Sequence, residues 1–432
     1  MLFYKEVDFQ DTPLGQVPKD WQVSQLGDDR VCEDIFYGIT AKATDQNTGL
    51  RMLRTTDIKN YSADWSKLPF CEITENRNAV DKYILKKGDI IIARAGTVGV
   101  SVLVDRDFDD VIFGSYLIKV KLKPTIIPEF AHYFLQSNLY WKHIQKAQGS
   151  TLKNINLPIL KELFLPVPPL EEQRAVAGVL GVVDSVIAKT DEVIAKTERL
   201  KKGLMQTLLT RGIGHKEFKE TEIGKIPKTW QVVRLGEILE LCQYGLSVKF
   251  GETGKYRILK MDDIVDGVVI PNNAKYVDLD EKTFENFRLE KGDILFNRTN
   301  SYELVGRTGI FLLDGDYVFA SYLIRLRPKK DVIDPRFLTY YMIFSNNRLK
   351  LLATRAVHQA NINATNLQRF TIPLPPLSEQ KQITDILTKL DKKLEFERNE
   401  KVRFERIKRG LMDLLLTGKI RVKVDCDAVY SG

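Results

Sequence analysis

The chain is written twice, and that duplication constrains its fold more than any other feature. The run Thr12-Pro13-Leu14-Gly15-Gln16-Val17-Pro18-Lys19-Asp20-Trp21-Gln22-Val23 returns as Thr221-Glu222-Ile223-Gly224-Lys225-Ile226-Pro227-Lys228-Thr229-Trp230-Gln231-Val232. Leu26-Gly27 returns as Leu235-Gly236, Lys87-Gly88-Asp89-Ile90 as Lys291-Gly292-Asp293-Ile294, and Ser115-Tyr116-Leu117-Ile118 as Ser321-Tyr322-Leu323-Ile324. Asn154-Ile155-Asn156 matches Asn361-Ile362-Asn363, and Pro168-Pro169-Leu170-Glu171-Glu172-Gln173 matches Pro375-Pro376-Leu377-Ser378-Glu379-Gln380. A period of about 207 residues is far beyond the 20 to 50 of solenoid repeats, so each copy is a globular domain plus whatever follows it.

Each copy changes character at its double proline. Upstream lie short β-like runs, 89–93 and 111–122 in the first copy, 293–297 and 318–326 in the second. A helix is predicted after each set, over 128–146 and 335–354, both opening on a proline, which the first turn tolerates. Upstream text thus reads as a mixed α/β domain. Downstream the period turns helical. Val176, Leu180, Val183, Ile187, Ile194, Leu204 and Leu208 fall on alternating spacings of three and four, with Thr190 and Thr197 in the same stripe. The second copy gives Ile383, Leu387, Leu390, Leu394, Phe404, Leu411 and Leu415. Helices of about forty residues would be roughly 60 Å long and need a partner along their length. Either each caps its own domain or the two pack on each other. Mutual antiparallel packing is the more economical.

The expected fold class is therefore α/β: two pseudo-twofold-related mixed α/β domains separated by two long antiparallel coiled-coil helices. The divisions are 1–165, first domain; 166–212, first helix; 213–372, second domain; 373–418, second helix; and 419–432, a C-terminal tail. Such symmetry usually mirrors symmetry in a partner.

Catalytic signatures are scarce. The chain lacks a GxxxxGK[ST] phosphate loop, GxGxxG, HExxH, GxSxG and the Asn/Asp-Pro-Pro-Tyr run of amino-methyltransferases. Its histidines, His132, His143, His215 and His358, and its cysteines, Cys32, Cys71, Cys242 and Cys426, are not at metal-ligand spacing, and no metal is expected. The cysteines read as small apolar packers. Asp89 and Asp293, each after Lys-Gly, read as turn residues. Trp21 and Trp230 read as core anchors, and Tyr116 and Tyr322 as packing residues. Residues 1–10 lack the apolar core of a secretory signal, and no stretch has the length of a membrane span, so a cytoplasmic location is expected.

Polar and basic loop text is what remains. Lys plus Arg exceed Asp plus Glu by 65 to 57, a formal +8, which permits a polyanionic partner without demanding one. Arg94-Ala95-Gly96-Thr97-Val98-Gly99 stands against Asn297-Arg298-Thr299-Asn300-Ser301-Tyr302, so the frame repeats while side chains change. A second stretch sets Ser150, Thr151, Lys153 and Asn154 against Arg355, His358, Gln359 and Asn361. Two readers of different DNA sequences would need this pattern: Arg for guanine, Asn or Gln for adenine, Ser or Thr for either. Arg51 and Arg54, with Arg257 and Lys260, flank Asp57-Ile58 and Asp263-Ile264 at positions suited to phosphate contact. The plainer alternative is solvated loops that drifted apart.

Two copies each ending in Pro-Pro-Leu-x-Glu-Gln, each followed by a long helix closing on Leu208-Leu209-Thr210 or Leu415-Leu416-Thr417, with Gly-x-x-Pro-x-x-Trp at Gly15 and Gly224, give a chain that resembles the specificity (S) subunit of type I restriction-modification systems. The resemblance covers essentially the whole chain. It implies two target recognition domains, each reading half of a bipartite site in double-stranded DNA, with the helices setting the spacer and docking two modification (M) subunits. Restriction (R) subunits are implied as further partners. It implies no catalysis and no cofactor in this chain, with S-adenosylmethionine, ATP and Mg on the partner subunits. The copies depart from one another at Glu171 against Ser378, and at the helix exits, Gly212-Ile213-Gly214-His215 against Gly418-Lys419-Ile420. Two rivals are a nuclease or methyltransferase with an unrecognised site, and a solitary DNA-binding or scaffold protein without catalytic partners.

Overall fold

A computed structural model describes residues 2–73, 80–148, 154–355 and 360–423. The chain divides into two compact units, Met1–Asp191 with Asn399–Gly432, and Glu192–Arg398. Both cuts fall inside the long helices, which run Leu170–Arg211 and Leu377–Leu415. Each unit therefore holds one domain, the start of the helix that follows that domain, and the far half of the other helix.

In the first domain, strands Ile90–Ala93 and Leu117–Leu122 pair antiparallel at the centre of a four-stranded sheet, flanked by Ser101–Leu103 and Cys32–Tyr37. A second sheet sets Val111–Phe113 parallel to Arg51–Leu53. The second domain repeats the plan: Ile294–Asn297 and Leu323–Pro328 are central, Leu239–Tyr244 flanks them, and Tyr317–Phe319 runs parallel to Tyr256–Leu259 in a separate sheet. The expected single strands over 111–122 and 318–326 are each broken in two. The chain leaves one sheet, turns at residues 114–117 or 320–323, and joins the other. The turn is closed by Leu117 N–H to the Gly114 carbonyl and by Leu323 N–H to that of Ala320, both 2.9 Å.

The helices predicted over 128–146 and 335–354 are also each two. Pro128–Phe134 is followed by Asn138–Gln148, and Pro335–Phe344 by Asn346–Lys350. The breaks fall at Ser137 and Ser345, both buried. The Ser137 hydroxyl accepts the Tyr140 N–H, a capping contact that starts a new helix instead of extending the old one.

The double-proline motif joins domain to helix. Phe164–Val167 pairs antiparallel with Gln22–Gln25, and Thr371–Leu374 with Gln231–Arg234, so that each copy leaves a two-stranded sheet at the prolines and turns into a helix. Gln173 and Gln380, fully buried, then saturate their amides identically. Gln173 accepts from Ile127 N and donates to the carbonyls of Thr125 and Pro168; Gln380 accepts from Asp334 N and donates to those of Val332 and Pro375. Each glutamine fixes the helix start to the loop before the domain's own helix pair. The neighbouring glutamates meet the tryptophans: Trp21 Nε1 donates to Glu172 at 3.0 Å, and Trp230 Nε1 to Glu379 at 2.9 Å. Both tryptophans are core anchors, at 1% and 0% exposure.

Within each unit the two helices pack antiparallel. In the first, Asp184 meets Lys408 and Asp191 meets Lys401. In the second, Glu198 meets Arg398 and Asp391 meets Lys201. Every apolar residue expected in the stripe is buried or half-buried. Thr190 and Thr197 are buried and hydrogen-bond back to the Val186 and Val193 carbonyls. The periodicity also continues through Met205, Leu209, Met412 and Leu416, which are buried with the domain helices.

The segment after the second helix is not a loose tail over its described part. Ile420–Lys423 pairs antiparallel with Leu2–Lys5, and Arg421 closes the first domain by binding Glu172, Asp20 and Glu6 at 2.7 to 2.9 Å. In the second domain the corresponding glutamate, Glu379, is held instead by His215 Nε2 at 2.8 Å and Ile213 N at 2.9 Å. Different exits from the two helices thus reach equivalent buried carboxylates.

Candidate nucleic-acid interface

Each domain has a corner where its two sheets part, and the sequence around it is repeated. Tyr37-Gly38 and Tyr244-Gly245 cross the corner. Gly38 N–H donates to the Leu117 carbonyl and Gly245 N–H to that of Leu323, at 3.0 and 3.1 Å. A Cβ on Gly38 would lie 2.3 Å from the Gly114 carbonyl oxygen, and one on Gly245 the same distance from that of Ala320, so only glycine permits the approach. The tyrosine beside each glycine is fixed by its hydroxyl, which accepts the N–H of Leu157 in one domain and of Ala364 in the other.

An arginine lies over each of these rings. Arg94 Cζ is 4.6 Å from the Tyr37 centroid, and Arg298 Cζ is 4.7 Å from that of Tyr244. Strand register equates the two arginines, because Ala93 pairs with Leu117 and Asn297 with Leu323. The expectation that the frame repeats with different side chains is corrected at this point: the arginine is the same, and the change begins after it, with Ala95-Gly96-Thr97 against Thr299-Asn300-Ser301. The backbone around each arginine is likewise matched. Arg94 N and Arg298 N donate to the carbonyls of Tyr116 and Tyr322, and the arginine carbonyls accept from Ile155 N and Ile362 N.

In the second domain this arrangement brings two separately identified loops together. Thr299–Asn300 pairs with Ala360–Asn361, which pairs in turn with Thr354–Arg355. Arg298 reaches the Asn361 amide oxygen at 3.2 Å, and Asn300 Nδ2 reaches Met261 Sδ, placing the Lys260 turn at the same corner.

The sequence family described as Type I restriction modification DNA specificity domain matches residues 18–199 and 227–406, one match per repeat. The chain belongs to this family. Among its relatives, the type I restriction enzyme MjaVIII specificity subunit of Methanocaldococcus jannaschii is 30% identical over 98% of both chains. Two solved structures share the fold. One is a chain from work on complex assembly and conformational transition of the type I R-M system, 19% identical over 93% of this chain and 99% of that one, TM-score 0.58. The other is the type I restriction-modification S subunit from M. genitalium, 18% identical over 94% and 98%, TM-score 0.56.

The remaining expected contact residues occupy varied places in the two specificity domains. Arg51 is gripped by Asp110 through two hydrogen bonds of 2.7 and 2.9 Å and donates a third to the Trp65 carbonyl. Arg54 is held the same way by Asp57. Their counterparts differ: Arg257 lies 5.8 Å from the Tyr317 ring, and Lys260 opens the turn whose backbone is fixed by Asp263. Asn297 is 1% exposed and faces the interior, while Thr97 and Asn154 are exposed. Ser150, Thr151, Lys153, His358 and Gln359 lie outside the described residues, as does the Arg355 side chain.

Asp89 and Asp293 are turn residues, accepting the N–H of Lys86 and Glu290 from buried positions. Tyr116 and Tyr322 are not packing residues. At 65% and 41% exposure they stand out from the corner turns, because breaking the strand there removes both sheets from beneath the ring. The motifs considered above do not include Tyr37 and Tyr244, although Tyr37-Gly38-Ile39 returns as Tyr244-Gly245-Leu246 and signals them. Cys32 and Cys242 have thiols pushed up to about 11 by burial, so neither is an activated nucleophile. Cys426 lies outside the described residues. Among the described residues, no helix is long and apolar enough to cross a membrane.

Proposed function

We propose that this specificity subunit reads a bipartite site in double-stranded DNA, one half-site per domain, and supplies no catalysis of its own. The observation that carries this reading is the repeated corner. Two domains hold the same arginine on the same tyrosine while the adjoining residues differ, the division of labour that two readers of different half-sites require. In this reading two modification subunits dock on the helices and flanks and hold S-adenosylmethionine, and restriction subunits bring ATP and Mg. The protein acts in the cytoplasm. In this reading the two long helices, of 42 and 39 residues, set the spacer between the half-sites.

Reconstitution tests this. The chain alone should not methylate DNA, and with a modification subunit it should direct adenine methylation to a two-part sequence. Exchanging residues 221–370 for the same region of another family member should change one half of that sequence. Turnover by the purified chain alone, or altered reading of both halves after the exchange, contradicts the proposal.

A further inference from the structure

Several arginines in these domains are already spoken for electrostatically. Arg51, Arg54, Arg288, Arg327 and Arg421 each have a carboxylate within ion-pair distance. Arg94 and Arg298 are not, and unlike Arg257, which shares the unpaired Nε, they lie on the repeated corner tyrosines. Among the described residues neither has a carboxylate partner, and the Nε of each is buried without a hydrogen bond. Among the described residues Arg298 hydrogen-bonds only to neutral oxygens, at 3.3 Å to the Ser321 carbonyl and 3.2 Å to Asn361. A half-buried cation left uncompensated costs stability unless something outside the fold supplies the negative charge.

The platform holding that cation is rigid. The ring of Tyr37 or Tyr244 is anchored through its hydroxyl, and the guanidinium lies against it, which fixes where its remaining N–H groups point. Immediately beside it, bonded through the backbone to the same arginine, stands the exposed Tyr116 or Tyr322. Packing accounts for a repeated buried tyrosine but not for a repeated exposed one. Two domains that differ in the next three residues nevertheless share the arginine, the ring beneath it and the tyrosine beside it.

Resting on the DNA-reading function proposed above, we infer that Arg94 with Tyr116, and Arg298 with Tyr322, form one sugar–phosphate clamp used twice. The guanidinium donates to a phosphate oxygen, and the tyrosine hydroxyl donates to the same strand. The clamp fixes each domain's register on the duplex and carries no sequence information; base reading falls to the residues that differ around it.

The test uses the full chain assembled with its modification subunit. Wild type first selects its site from a pool of random-sequence 40-base-pair duplexes. Binding of Arg94→Gln, Arg298→Gln, Tyr116→Ala and Tyr322→Ala is then measured by fluorescence anisotropy on the selected duplex and on a random one, across a salt series. Each arginine variant is expected to bind both duplexes about five- to thirtyfold more weakly, with the ratio between them unchanged and the salt slope smaller by about one. The exposed tyrosine variants, which leave the core untouched, should lose affinity on both duplexes in the same proportion. Relaxed preference at one base position would make the arginine a base reader and overturn the proposal. So would wild-type binding by all four variants, or losses confined to variants with a lowered Tm. If wild type selects no two-part site, the DNA-reading function fails first and takes the clamp with it.

Discussion

Tyr340 donates its hydroxyl to a carboxylate oxygen of Asp391 across 2.5 Å, and the Lys201 ammonium reaches the same aspartate while lying 5.7 Å from the tyrosine ring. The first repeat has the same joint. Tyr133 donates to Asp184 at 2.8 Å, with Lys408 at 2.7 Å from the carboxylate and 5.3 Å from the ring. Burial, reinforced by the aspartate, holds both phenols protonated well above their ordinary range. One carboxylate thus ties together the domain's own helix, the long helix that follows it and the returning half of the other.

Tyr340→Phe should therefore cost about 1 to 2 kcal/mol in urea denaturation, the value of a part-buried hydrogen bond to a charged acceptor. Lys201→Met should cost less, since the ion pair is partly solvated. Because both groups share Asp391, their effects should not add; strict additivity in a double-mutant cycle would show that the joint is not one unit.

The seam is an apolar core and should respond as one. Leu387, fully buried among Ile383, Leu208 and Phe337, should lose about 2 to 5 kcal/mol on replacement by alanine. Val182, 65% exposed on the first helix, should tolerate serine within about 0.5 kcal/mol. Equal costs at the two positions would contradict the packing described above.

His132 Nε2 is shut from solvent, and burial, opposed in part by a backbone hydrogen bond at Ser101, lowers the imidazole from 6.5 to about 4. Between those values the unfolded chain binds a proton that the folded chain does not. Stability should therefore fall as pH drops from about 6.5 towards 4, a window lying largely above the ordinary carboxylate range. His132→Leu should flatten that part of the profile. A slope unchanged by the substitution would place the titration elsewhere.

The proposed ruler can be lengthened. Four residues inserted between Lys201 and Gln206 add about 6 Å and about 40° beyond a full turn to the first helix. DNA rises about 3.4 Å and turns roughly 35° per base pair, so the mapped spacer should grow by one or two base pairs with both half-sites unchanged. Strain against the unlengthened helix should weaken binding. An unchanged spacer with full activity would show that the helices do not measure the site.

The sequence by itself determined the duplication, the two long helices and the anchoring tryptophans, because these are carried by periodicity and by matched text that needs no knowledge of what lies across the fold. It also marked the loops at 94–99 and 297–302. Which residues of those loops share a surface was decided only by tertiary structure. Thr299 meets Asn361, Arg298 meets Tyr244 and Arg421 meets Glu172 through contacts that join residues dozens to hundreds of positions apart. Local patterning specifies an element's type and buried face; it does not specify which distant carboxylate will neutralise an arginine. For that reason Arg51 and Arg298 look alike in the sequence, yet one is bound to Asp110 and the other has no carboxylate partner among the described residues.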